Sequence, residues 1–306
     1  MMGAEHFWAI LLAAGEGERV RSLTNDGHGR HVPKQYWSLD GRDSLLRLAM
    51  HRAETLVPRH RMVPVVAAQH RHWWRTQLRD LPPTNVVVQP RNKGTSAGIL
   101  LPLAHVLRMD PWARVVVLPT DHLVRREDIL ARAIVAGARA VVADPRRVVL
   151  LGMVPRGNDQ DYGWIMPAGS ADEKKPLQVQ AFLEKPDRAT SRLLAQTGGL
   201  LNSFIMVASG GSLLQLFQEI MPHVASRFLY SHAHGPVRPG SLERLYRSVP
   251  RSDFSRDILE ASCHCLSVIP VADCGWVDVG TPARLRPLLQ GRPRQDAGLA
   301  HAPPPA

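Results

Sequence analysis

Two glycines, an arginine and a lysine follow an apolar run near the start of the chain. The run is 7–13, the loop reads Ala14-Gly15-Glu16-Gly17-Glu18-Arg19, and Pro33-Lys34-Gln35 comes shortly after. Glycine backbone lets amide N–H groups approach an anion closely, and the two cations can balance charge that builds up on it. Three phosphate-binding arrangements compete for such a loop. A dinucleotide fingerprint needs a third glycine, but Val20 and Arg21 stand at and beside its place. Asp40 lies where a ribose-binding acid could fall, yet the basic segment before it does not suit the short crossover. A Walker loop needs Gly-Lys-Ser/Thr, which is absent here. What remains is a loose loop over the β- and γ-phosphates of a nucleoside triphosphate, completed by Lys34.

Carboxylates suited to a cation stand at two further places. Asp121, in Pro119-Thr120-Asp121-His122, closes an apolar strand-like run, and Asp278 sits in Gly275-Trp276-Val277-Asp278-Val279-Gly280. Hard carboxylate oxygens beside phosphate oxygens suit Mg²⁺. Either Asp alone reads equally well as a cap or loop residue, whereas the pair could clamp one metal against a triphosphate. Phe182-Leu183-Glu184-Lys185-Pro186 places an acid and a base at a strand end. Strand alternation predicts that Glu184 and Lys185 point to opposite sides, which disfavours a simple surface ion pair. Asn202, in Leu201-Asn202-Ser203-Phe204, offers an amide for hydroxyl groups.

These residues need a scaffold, and the apolar pattern predicts one. Strands are expected at 7–13, 62–67, 85–89 and 114–119, alternating with helices at 44–56, 70–79, 95–109 and 126–140. This βαβ rhythm implies a doubly wound α/β sheet with its ligands at the carboxyl ends of the strands. From 148 the rhythm tightens: runs at 148–154, 162–166, 177–183 and 201–208 predict an extension of the sheet, with antiparallel members, that folds over the mouth of the first half. Helical stretches follow at 210–232 and 253–262, then a strand at 265–271 and a helix at 281–289. The expected organisation is a first half (1–147), a second half of the same domain (148–289) and a disordered tail (290–306).

Bulk composition narrows the partners. The chain has 306 residues, and its 44% hydrophobic and 21% charged content are those of a folded globular protein, while its net charge of +11 could suggest a nucleic-acid or membrane-surface partner. The surplus is arginine scattered along the sequence, which argues for an anionic small substrate or a solvated surface over nucleic acid. Against 33 arginines stand five lysines, and Lys34, Lys93 and Lys185 all lie inside the sharpest motifs. A lysine kept in so arginine-rich a chain suggests a compact point charge. Cys263, Cys265 and Cys274 are too few for a disulfide framework and point to a reducing, cytoplasmic setting. Read as a strand, Cys263-His264-Cys265 puts two thiols on one face without a second pair, so no zinc site is expected. No apolar run spans a membrane, and the N-terminus does not read as a signal peptide.

Taken in order, these segments resemble the sugar-1-phosphate nucleotidyltransferases, and most closely the bacterial mannose-1-phosphate guanylyltransferases. The resemblance runs from residue 7 to about 288. It rests on 13–19, Pro33-Lys34-Gln35, Gln89-Pro90-Arg91-Asn92-Lys93-Gly94-Thr95, 119–122, Tyr162-Gly163-Trp164-Ile165, Glu184-Lys185-Pro186, Asn202-Ser203 and 276–280. It implies a nucleotide-diphospho-sugar transferase-like fold with a mixed, mostly parallel sheet, in which 1–147 would be the nucleotide-binding half and 148–289 the sugar-phosphate-binding half. It also implies transfer of a nucleoside monophosphate, GTP favoured as donor, to a sugar 1-phosphate. Carried over residue by residue, Ala14, Gly15, Gly17 and Arg19 would grip the triphosphate and Lys34 the phosphates at the reacting centre. Gln89 and Gly94 would lie near the base, and Asp121 and Asp278 would hold Mg²⁺. Gly163, Glu184 and Asn202 would bind the sugar and Lys185 its phosphate.

The chain departs from the family pattern at four points. Ala14 replaces a glycine, Val20-Arg21-Ser22 replaces the proline after the loop arginine, and Asn25–Val32 is an insert that reads as a lid or a surface turn. Phe204 stands where Asn-Ser-Gly is usual. Pro33-Lys34-Gln35-Tyr36 also resembles the cytidylyltransferases of isoprenoid synthesis, which are shorter and lack the Glu-Lys-Pro and Trp-x-Asp-x-Gly elements. A catalytically silent sugar-nucleotide sensor is a further alternative, disfavoured because Arg19, Lys34, Asp121 and Asp278 are all present. The base, the sugar and the oligomeric state, a homo-oligomer included, stay open from sequence.

Overall fold

The computed structural model describes residues 4–26, 28–156, 160–169, 175–233 and 239–290. The first strand, β1 (Phe7–Ala13), is apolar along its whole length because it lies between two layers of helices. Its side chains alternate accordingly: Ala9, Leu11 and Ala13 enter one core, Trp8 and Ile10 the other. The chain continues through α1 (Leu45–Glu54), β2 (Met62–Ala67), α2 (Arg71–Gln77), β3 (Val87–Gln89), α3 (Thr95–Met109), β4 (Arg114–Pro119), a short β5 (His122–Leu123) and α4 (Glu127–Ala143). Then come β6 (Val148–Met153), β7 (Gly163–Pro167), β8 (Leu177–Glu184), α5 (Arg188–Gln196) and β9 (Leu200–Ser209). Helices α6 (Gly210–Ile220), α7 (Pro222–Ala233) and α8 (Pro239–Ser248) precede β10 (Leu266–Val271), a short β11 (Val277–Asp278) and α9 (Pro282–Gln290).

Nine strands form one sheet in the order β3-β2-β1-β4-β9-β6-β10-β8-β7. Strands β3, β2, β1 and β4 are parallel neighbours, as are β6 and β10, while β8 and β9 run against the rest. The doubly wound α/β class expected from sequence is the observed one. Helices α1, α4 and α9 supply Leu46, Ile134 and Leu285 to one core. On the other face α3, α6 and α8 supply Ile99, Phe217 and Tyr246. Local signals mark the helix starts: Ser44 Oγ accepts from Arg47 N at 3.1 Å and Asp187 Oδ1 from Thr190 N at 2.8 Å.

Several local expectations need correction. The helix expected over 210–232 breaks at Met221, whose extended-side backbone (φ −128°) precedes Pro222, a residue that disfavours helix in its predecessor. Helix α8 and strand β5 fall where neither was expected. Over 253–262 the chain forms a π-helical turn (Ser255–Leu259) and then a 3₁₀ turn (Glu260–Cys265). Cys263 and Cys265 therefore sit in a helical turn, not on a strand face as alternation predicted. The Asn25–Val32 insert folds back on Asp26, whose Oδ1 accepts from His28 N (2.9 Å) and Arg30 N (2.8 Å). Val32 N closes the turn on Thr24 O at 2.8 Å. Of the expected tail, 291–306 lies outside the described residues.

Candidate active site

The loop after β1 is held from beneath by the segment that carries Lys34. Gln35 Nε2 donates to the carbonyls of Ala13 and Gly15, each at 3.0 Å, and Tyr36 Oη donates to Ala13 O at 3.1 Å. Gly17 has φ +67°, and a Cβ there would lie 3.1 Å from Lys34 Cγ. Left-handed backbone and close packing together explain a glycine at this position. Buried Val20 anchors the 3₁₀ turn that follows, which leaves Arg19 exposed at the cavity wall.

Asp121 follows β4, and Thr120 Oγ1 ties that strand end to Leu12 O at 2.7 Å. Asp278 arrives by a different device. Strands β5 and β11 form a two-stranded antiparallel ribbon in which Asp278 faces His122 and Val277 faces Leu123. This small ribbon brings residue 278 beside residue 121. The carboxylates of Asp278 and Asp121 and the imidazole of His122 each offer an atom within 4.8 Å of the others. Gly280 has no room for a side chain, since a Cβ would stand 2.9 Å from both Asp278 carboxylate oxygens.

Cations of the chain neutralise both acids. Lys34 Nζ forms an ion pair with Asp121 Oδ2. Burial alone would raise the Asp121 pKa, but the charges and hydrogen bonds facing it, chiefly those of Lys34, together overcome it and hold the carboxyl at about 2. Burial likewise works to lower the Lys34 pKa, and the Asp121 and Asp278 charges overcome it, leaving the ammonium above its ordinary value. Arg284 Nη1 donates to Asp278 Oδ2 at 2.6 Å while its guanidinium lies 3.9 Å from the Tyr162 ring centroid and 3.4 Å from Asp161. Behind them, Trp276 Nε1 donates to His122 Nδ1 at 3.1 Å. Indole N–H is a donor only, so His122 Nδ1 is the acceptor. Burial pushes the His122 pKa down, which keeps the ring neutral near pH 7.

At the other end of the cavity, Gly163 pairs with Glu184 across β7 and β8. A Cβ at 163 would come 2.7 Å from Glu184 Oε2, so glycine is what admits the carboxylate. Lys185 corrects the alternation argument. Its φ of +51° ends the strand, and its Nζ turns back onto Glu184 Oε1 at 2.8 Å. The two side chains therefore pair instead of pointing apart. Asn202 is the third residue of β9 and is buried, its Oδ1 accepting from Phe204 N at 3.0 Å. Phe204 has φ +59°, a left-handed conformation natural to the glycine usual in the Asn-Ser-Gly pattern. Its ring packs 6.1 Å from that of Phe254.

All the expected site residues meet. Ala14, Gly15, Arg19, Lys34, Gln89, Gly94, Asp121, Gly163, Glu184, Lys185, Asn202 and Asp278 line one 690 Å³ cavity, and Gly17 lines an adjoining one of 530 Å³. Gln89, buried at the end of β3, has an Oε1 without a partner among the described residues. Gly94 faces the chain near Ser252. The sequence reading missed His122, Trp276, Arg284, Arg251 and Arg256, all but Arg284 lining the main cavity. His122 and Trp276 lie inside recognised motifs and could have been inferred from them. The arginines could not, because so many others surround them in the sequence.

The Nucleotidyl transferase family matches residues 8–290. This chain belongs to that family. Among curated relatives of this nucleotidyl transferase, the xanthan biosynthesis protein XanB of Xanthomonas campestris pv. campestris (strain B100) is 26% identical over 95% of the chain and 61% of the relative. The mannose-1-phosphate guanylyltransferase of Salmonella muenchen is 26% identical over 94% of the chain and 60% of the relative. The chain thus spans about three-fifths of the length of these relatives. A solved structure from Thermus thermophilus, titled as a mannose-1-phosphate geranyltransferase, superposes with a TM-score of 0.79 at 23% identity, covering 95% of this chain and 81% of that one. The inositol-1-phosphate CTP transferase of T. maritima gives a TM-score of 0.58 at 17% identity over 95% and 97% of the two chains. The family resemblance seen in the motifs is thereby established, as is the fold. Among the described residues no helix is long and apolar enough to cross a membrane.

Proposed function

We propose that the chain transfers GMP from GTP to the phosphate of mannose 1-phosphate and releases pyrophosphate. The observation that carries this reading is the convergence of Lys34, Asp121 and Asp278, from three distant segments, between Gln89 at one end of the cavity and Glu184 and Asn202 at the other. In this reading residues 1–147 serve the nucleotide and 148–289 the acceptor. Relatives named mannose-1-phosphate guanylyltransferase favour this donor and acceptor. The unpartnered Gln89 Oε1 also suits the N–H donors on the guanine edge.

An acceptor phosphate oxygen is already anionic, so no general base is required. It attacks the α-phosphorus, a new P–O bond forms, and the bond to the β-phosphate breaks with its electrons leaving on pyrophosphate. Catalysis then reduces to aligning two anions and neutralising their charge. Arg19 and Lys34 face the triphosphate, and Lys185 meets the acceptor phosphate. An incoming triphosphate competes with Asp121 for Lys34, exchanging an internal ion pair for one with the substrate. Asp121 and Asp278 supply hard oxygens that fit Mg²⁺, with His122 beside them, and the bound ion would withdraw charge from phosphate oxygens. Glu184 and Asn202 present groups for sugar hydroxyls, with Gly163 leaving space beside them.

The test is a pyrophosphate-release screen of four nucleoside triphosphates against mannose 1-phosphate, glucose 1-phosphate and related acceptors with Mg²⁺. The expected best pair is GTP with mannose 1-phosphate. A preference for CTP, or for a non-sugar acceptor, would overturn the reading.

A further inference from the structure

Lys93 is one of five lysines in the chain, and the transfer reaction gives it no part. Its surroundings show what it does. Lys93 Nζ donates to Val249 O at 2.8 Å, and Ser252 N donates to Lys93 O at 3.1 Å. Phe254 N donates to Thr95 Oγ1 at 2.7 Å, and Ser96 N to Ser252 O at 3.4 Å. Gly94, with φ +86°, lets the two segments touch: a Cβ there would overlap Ser252 O at 2.0 Å. Residues 249–254 are thus latched onto the loop before α3, although they lie far away in sequence.

Only Pro250 and Arg251 lie between the anchor points at Val249 and Ser252. Arg251 is exposed and lines both the main cavity and the adjoining one. Gly15, Arg19, Lys34 and Asp121 also line both, which marks this zone as the phosphate end of the site. No carboxylate among the described residues forms an ion pair with Arg251. The nearest acids in sequence are engaged locally: Asp253 Oδ1 accepts from Ser255 N at 3.0 Å and Asp257 Oδ2 from Asp253 N at 2.7 Å.

We propose that Arg251 binds the β- and γ-phosphates of the triphosphate, and then pyrophosphate, together with Arg19, and that Lys93 is the positioning residue that holds it there. The inference rests on the reading of this cavity as a nucleotidyl-transfer site. A guanidinium fork matches phosphate oxygens in a way an ammonium does not. A second arginine at the departing end would stabilise charge that grows as pyrophosphate leaves.

Calorimetric titration with Mg²⁺–pyrophosphate tests this directly. Arg251→Ala should bind pyrophosphate about tenfold or more weakly, as expected for loss of a charged hydrogen-bonding group. It should raise the KM for the triphosphate and leave that for the sugar 1-phosphate unchanged, with an unaltered melting temperature because the side chain is exposed. Lys93→Met should weaken pyrophosphate binding in the same direction, and adding it to Arg251→Ala should cost nothing more. Wild-type pyrophosphate affinity in Arg251→Ala would overturn the proposal. Additive losses in the double variant would overturn the part given to Lys93. If the wild-type protein binds neither GTP nor pyrophosphate, the transfer reading itself fails, whatever Arg251 does. Should Lys93→Met fail to fold, the Arg251→Ala result decides.

Discussion

The two ends of the cavity are built on different principles. At the end proposed for the phosphates, charge is balanced internally: Lys34 sits on Asp121 and Arg284 on Asp278, with side chains no more than 22% exposed. At the acceptor end the corresponding pair is open on one side, Lys185 being 42% exposed against 8% for Glu184. There the backbone carries strain, because Lys185 and Phe204 are the two non-glycine residues with positive φ among those described. Phe204 is also one of the four places where the chain departs from its family's pattern. On the proposed reading, the contrast teaches that the end given to the phosphates is specified by electrostatics common to any triphosphate, whereas the end given to the acceptor is shaped by local backbone geometry. Acceptor selectivity should therefore reside in the second region.

The largest break in this comparison comes from Lys34→Met. It should lower kcat for pyrophosphate release by about 10²–10³, the scale for losing one charge-stabilising group. The next concerns Arg284. If it orients Asp278 as a ligand, Arg284→Met should weaken Mn²⁺ binding, followed by electron paramagnetic resonance, about 10–100-fold. If it merely competes for the carboxylate, the same variant would bind Mn²⁺ more tightly. At the acceptor end, Lys185→Gly should raise the KM for the sugar 1-phosphate about tenfold with the triphosphate KM unchanged. Its melting temperature should hold or rise, since glycine relieves a left-handed strain of about 1–2 kcal/mol. A fall in stability together with a rise in both KM values would erase the distinction between the ends.

The smallest expected effect is on acid stability. The Asp121 pKa is depressed, so its contribution is complete above the ordinary carboxylate range and is lost as pH falls towards about 2. Lys34→Met removes the main charge that depresses it, so the loss of stability between the ordinary carboxylate range and about 2 should shrink or disappear. Thermal melts of the two proteins between pH 2 and about 6 would show the difference, and parallel curves would count against the pair.

Much of this was legible in sequence, for physical reasons. Fully buried strands such as β1 and β4 announce themselves as unbroken apolar runs, and residues at their carboxyl ends inherit a place at the site. Glu184 and Lys185 were misread because alternation holds only while the backbone stays extended, and φ at Lys185 reverses it. Strand β5 has two residues, too few for a pattern, yet its ribbon with β11 decides where Asp278 lies. Arg284, Arg251 and the Lys93 latch depend on contacts between distant segments, which residue spacing does not encode.

The central claim is that this cavity moves a nucleoside monophosphate between two anions. Incubation with mannose 1-phosphate, Mg²⁺ and GTP labelled with ³²P at either the α or the γ position tests it most directly. The α label should appear in a sugar nucleotide and the γ label in pyrophosphate. Release of the γ label as orthophosphate, or no transfer of the α label to the sugar, would contradict it.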